Sequence, residues 1–126
     1  MRDQASNISV QTSLAPAART ATANGTGVSV ANVDAATISI EVGVITDGVH
    51  APSVQESADN VTWNNVAAAN LTGALAGLAS NTNQRVGYIG IQPYVRVVTT
   101  ITGAPVTGGV YTASVILGHP RKAPLA

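Results

Sequence analysis

At 126 residues, with no Cys or Phe, one Trp and one Met, the chain suits a single domain with a thin aliphatic core, and it excludes disulfides and thiolate metal sites. Charged residues make up 10% of it and the formal net charge is zero, against roughly a quarter charged in an ordinary soluble domain. There is no basic run for nucleic acid and no stretch of about 18 apolar residues for a membrane span.

Residues 1–7 are polar and aperiodic, and read as an N-terminal arm without the apolar segment of a secretion signal. Alternation begins at Ile8-Ser9-Val10-Gln11, continues through Leu14 and breaks at Ala15-Pro16-Ala17. Residues 19–23 alternate weakly, because Ala is a poor strand former. Asn24-Gly25 is a turn signal, and Val28-Ser29-Val30 resumes as a strand, which predicts a hairpin there. Val33-Asp34-Ala35-Ala36 reads as a connection. Residues 37–44 form the clearest period-two segment, with Ile38, Ile40, Val42 and Val44 on one face.

Asp47-Gly48 turns the chain into a strand over 51–57, which Pro52 confines to an edge or a strand start. Asp59-Asn60 turns again, and Val61-Thr62-Trp63 with Val66 completes a second hairpin. Leu71, Leu75 and Leu78 have helical spacing, but Gly73 and Gly77 weaken it, so a loop with at most one helical turn is expected over 70–80. Strands follow over 86–91 and 94–102, either separate or bent at Pro93. The last strand, 110–117, pairs with 94–102 in a predicted central hairpin, with Val95, Val97, Ile101, Val115 and Leu117 facing inward. Residues 119–126 read as an extended basic tail. Short strands at intervals of about 8–12 residues, without a βαβ rhythm, predict an all-β fold. The expected form is a small antiparallel β-sandwich, jelly-roll-like, with its core over 8–118 and arms at 1–7 and 119–126.

The candidate chemistry is sparse. His50 falls in a predicted turn as a solvated residue, His119 falls in the tail, and no Gly-x-Ser-x-Gly elbow is present, so no enzyme is expected. Asp47, Glu56, Asp59, Asn60 and Asn64 lie in neighbouring turns, where Asx residues are expected on conformational grounds, and they match no EF-hand spacing. No metal or other cofactor is expected. Asn-X-Ser/Thr triplets at Asn7, Asn24, Asn60 and Asn70 read as chance in an Asn/Thr-rich chain. Trp63 with Tyr88, Tyr94 and Tyr111 suits either a sugar platform or, preferably, the ends of an aliphatic core. Arg96 shares a strand face with Tyr94, Val98 and Thr100, as an interface arginine or a snorkelling one. The candidate protein contacts are therefore Arg2 in the arm, Tyr94 and Arg96 on the strand, and His119, Arg121 and Lys122 in the tail.

Three stretches carry a resemblance. They are Ile45-Thr46-Asp47-Gly48-Val49-His50-Ala51-Pro52-Ser53-Val54-Gln55-Glu56-Ser57-Ala58-Asp59-Asn60-Val61-Thr62-Trp63, then Gln84-Arg85-Val86-Gly87-Tyr88, then Gly108-Gly109-Val110-Tyr111 with Gly118-His119-Pro120. Across 18–124 the chain resembles small structural proteins of tailed bacteriophages. The resemblance implies a capsid decoration (cement) protein on the outer capsid surface of a virion, made in the host cytoplasm. Its implied partners are the major capsid protein and copies of itself, in a homo-oligomer, with no nucleic acid and no membrane. A head–tail connector or tail component is the alternative within the particle, and a sugar-binding β-sandwich using Trp63 is the alternative outside it. The family transfers no catalytic residues.

Overall fold

The computed structural model describes residues 3–120. The strands are β1 (Ser9–Arg19), β2 (Ala23–Asn24), β3 (Val28–Ser29), β4 (Val33–Ile45), β5 (Val49–Ser57), β6 (Asn64–Asn65), β7 (Leu71–Thr72), β8 (Asn83–Tyr88), β9 (Tyr94–Thr102) and β10 (Gly109–Pro120). The first sheet runs β1-β10-β4-β8-β7, and the second runs β2-β9-β5-β6 with β3 also on β9. Every pairing is antiparallel.

The pairings nest. β1 takes β10, β2 and β3 take β9, β4 takes β8, and β5 takes β6. This is one long hairpin, tipped between β5 and β6 and rolled so that successive arms fall in alternate sheets, which is a jelly roll. The expected fold class is therefore the observed one. The roll also overturns the predicted central hairpin, because β9 and β10 lie in different sheets and residues 103–108 cross between them. The predicted inward set survives the change. Val95, Val97 and Val115 are fully buried, Leu117 is buried and Ile101 is half-buried.

The core between the sheets is built from Ile38, Ile40, Val42, Val86, Val95, Val97, Ala113 and Val115, with Tyr88 and Tyr111 as its large rings. Each aliphatic contributes about 1.5–3 kcal/mol by leaving water. The alternation of β4 points Ile38, Ile40 and Val42 inward, but Val44 is exposed, where a register shift interrupts the pairing of β4 with β10.

Other expectations change for local reasons. The Asn24-Gly25 hairpin does not form, since β2 and β3 both pair with β9. Gly25 is required there by close approach. A Cβ would overlap the Ser13 hydroxyl and the Val97 carbonyl, while the Gly25 N–H donates to that carbonyl at 2.8 Å. Pro16 does not break β1, because β1 is a sheet edge and its register shifts between Leu14 and Ala17, so no ladder N–H is needed. Val33-Asp34-Ala35-Ala36 belongs to β4 rather than to a connection. Pro52 sits where β5 has β9 on one side and, away from Gln55 and Glu56, no strand on the other, as expected. After a 3-10 turn at Ala68–Asn70 and the short β7, residues 73–80 form a loop. Ile89 and Ile91 lie outside β8, in the crossover that ends at Pro93. Ala5–Asn7 forms a 3-10 turn in which Asp3 accepts from the Ala5 N–H and the Ser6 hydroxyl, so this part of the predicted arm has local structure. His119 and Pro120 continue β10, with Pro120 opposite Val33, so the tail does not begin at 119.

Candidate functional site

The register of the second sheet sets Arg96, Gln55 and Asn65 in one row across β9, β5 and β6. The Arg96 Nε–H and Nη2–H donate to Gln55 Oε1 at 2.9 and 2.7 Å, and Gln55 Nε2 donates to Asn65 Oδ1 at 3.2 Å. The guanidinium lies 4.5 Å from the centroid of the Trp63 ring. Burial pulls the Arg96 pKa below its ordinary value; as an arginine it remains charged. Neither sequence reading of Arg96 anticipated this. The guanidinium is held from two sides, by Gln55 and by the Trp63 ring.

Trp63 does not close the core. It sits half-buried on the outer face, against Gly27, where a Cβ would strike its ring. The turn before it explains the placement. Asp59 Oδ1 accepts from the Val61 and Thr62 N–H groups, both at 2.9 Å, and Asn60 takes φ 62°, which folds the chain back over the sheet. Tyr94 is half-buried near the start of the same β9 face.

The remaining predicted contacts do not join Tyr94 and Arg96. His119 belongs to the first sheet, exposed, with φ 48°. It borders a depression of about 660 Å³ shared with Gln4, Asn7 and Asp34. Arg2, Arg121 and Lys122 lie outside the described residues.

Sequence reasoning missed a buried polar link. His50 is 1% exposed rather than solvated, because β5 carries it inward between the sheets. Its Nε2–H donates to the Asp47 carbonyl at 3.1 Å, and its Nδ1 is 3.1 Å from the Tyr111 hydroxyl. That hydroxyl is 3.0 Å from Thr99 Oγ1, itself fully buried. Period-two phasing from Val54 back to His50 was the available signal, masked by the adjoining Asp47-Gly48 turn.

The acidic side chains Asp47, Glu56 and Asp59 are each engaged by the fold. Asp47 accepts from the Val106, Thr107 and Gly108 N–H groups, and those of Val106 and Gly108 chiefly hold its carboxyl below the ordinary range. The Thr62 and Val61 N–H groups do the same for Asp59. Glu56 accepts from the Tyr88 hydroxyl at 2.7 Å, and burial, reinforced by that bond, pushes the Tyr88 pKa up to about 12. Among the described residues no three His, Asp or Glu side chains are placed to share a metal ion.

The outer face of the first sheet is a regular surface of strand rows. Its register gives three rows: Val10–Ile116–Thr37–Gly87–Thr72, then Thr12–Ser114–Ser39–Arg85, then Thr112–Glu41–Asn83. Most side chains in these rows are small and uncharged. Such a surface lets another protein approach closely without stripping water from many charges. Compared with known proteins, the chain matches no family model, no curated protein sequence and no solved structure.

Proposed function

We propose that this chain is a non-enzymatic structural protein of a tailed-phage virion, of the capsid decoration type, binding the outside of the major capsid shell and stabilising the head. The observation that carries the reading is the nearly uncharged outer face of the first sheet, displayed by a rolled sandwich. Its acidic and imidazole groups support the same reading, since Asp47, Asp59, Glu56 and His50 are each engaged by the fold. A lattice protein needs many modest contacts rather than one strong site, because multivalency multiplies them. The resemblance to small phage structural proteins supplies the setting.

Quantitative mass spectrometry and cryo-EM of purified virions test it. A copy number that tracks the major capsid protein supports decoration. One or a few copies per particle moves the chain to a connector or tail position, and absence from particles rejects the virion role. The outward placement of Trp63 keeps a sugar-binding reading in play, although Arg96 already occupies the ring face on which a sugar would stack. Titration of Trp63 fluorescence against a glycan panel separates the two, with no response expected.

A further inference from the structure

We infer that the outer face of the first sheet is a self-association surface, across which Glu41 of one copy meets Arg85 of a second copy. The inference bears on the proposed function, because it commits this face to a second copy of the chain and leaves any capsid contact to the rest of the surface. In the three outward rows of this face Glu41 and Arg85 are the charged residues, of opposite sign, and both are exposed. They are diagonal neighbours on β4 and β8, since Glu41 stands opposite Asn83 and Ser39 opposite Arg85. Neither side chain is hydrogen-bonded or ion-paired to another described residue. A face with one unengaged charge of each sign, side by side, is self-complementary. A two-fold axis lying in the interface and passing between them sets each over its opposite in the second copy, giving two equivalent ion pairs in an isologous contact.

The rest of the face suits such a partner. Ser39, Ser114, Thr37 and Thr12 surround the pair with short side chains, and at Gly87 a depression of about 540 Å³ opens where no side chain stands. Two sheets can therefore approach to the ordinary face-to-face separation of about 10 Å. Val10, 59% exposed, and half-buried Ile116 lie in the adjoining row and gain burial on association. The thin aliphatic core gives the monomer a reason to benefit from it.

The test is the oligomeric state of the full chain by analytical ultracentrifugation over a concentration series. The wild type is expected to sediment as a dimer. Glu41→Lys and Arg85→Glu, separately, place like charges across the axis and are expected to weaken association about tenfold or more. The double charge reversal restores opposite pairing and is expected to recover most of that loss. Ser114→Arg, which adds a long cation near the face centre, gives an independent block. Circular dichroism spectra and unfolding midpoints establish that each variant is folded. A monomeric wild type, an odd-numbered oligomer, single variants that associate as tightly as the wild type, or a double variant that stays monomeric would each overturn the inference.

Discussion

The Tyr111 hydroxyl, carried by β10, stands 3.0 Å from the Thr99 hydroxyl, carried by β9. Two strands adjacent in sequence thus meet face to face across the sandwich, not edge to edge. The contact continues through His50 on β5 to the Asp47 carbonyl in the β4–β5 turn, so one buried polar chain joins both sheets to a loop. In an aliphatic core this chain supplies direction, because its hydrogen bonds are satisfied only when the two sheets are correctly aligned.

Tyr111→Phe keeps the ring and removes the hydroxyl that His50 and Thr99 share. The expected cost is about 1–3 kcal/mol of unfolding free energy, because buried polar atoms lose their partner. Urea denaturation measures it. Thr99→Val added to Tyr111→Phe is expected to cost less than it does alone. A negligible loss, or strictly additive losses, contradicts a coupled network.

Asp47 contributes to the acid limb of stability, as Asp59 does. Backbone N–H groups of the 103–108 loop hold its folded pKa below the ordinary value of 3.8. Its contribution is present above that unfolded value and is lost as pH falls through the lower folded one. Asp47→Asn is expected to be less stable at neutral pH and to show a flatter acid limb. Unfolding midpoints from pH 7 down to 2 check this.

Tyr88 contributes to the alkaline limb. Its pKa rises from 10.0 to about 12 on folding. Its contribution is complete below pH 10 and disappears as pH rises through about 12. Tyrosinate absorbance during an alkaline titration is expected to show a late component that Tyr88→Phe reduces, leaving the part due to Tyr111, whose pKa burial also raises. Normal titration of every tyrosine in the folded protein contradicts it.

Period-two patterning was enough to read the strands and their inward faces, as Ile38, Ile40, Val95, Val97 and Val115 show. Partner choice was not legible, because it depends on contacts far apart in sequence. The Ser13 hydroxyl accepts from the Val97 N–H at 2.9 Å, 84 residues away, and donates to the Thr26 carbonyl. Nothing local to Ser13 signals that bridge. Of the candidate contacts, Tyr94 and Arg96 were correctly placed on one strand face. The lock on Arg96 depends on Gln55, Asn65 and Trp63, which a turn brings over from the neighbouring hairpin. His50 was misread because the Asp47-Gly48 turn signal outweighed the strand phase beside it.

Arg96→Ala is expected to leave the fold intact and cost about 0.5–1 kcal/mol, the scale of a partly exposed cation–π contact. It uncovers a face of Trp63, so acrylamide quenching of the tryptophan fluorescence is expected to increase. Arg96→Lys is expected to recover little, because an ammonium lacks the planar group that stacks and reaches Gln55 through two nitrogens. Unchanged quenching in both variants contradicts the stacked arrangement.

The most direct test of the structural role is the stoichiometry of this chain in purified particles, measured by quantitative mass spectrometry beside the major capsid protein. A fixed ratio to the capsid lattice is expected, together with heads that rupture at lower temperature when the gene is disrupted. Particles that lack the protein, or carry it in only a few copies with unchanged head stability, would contradict it.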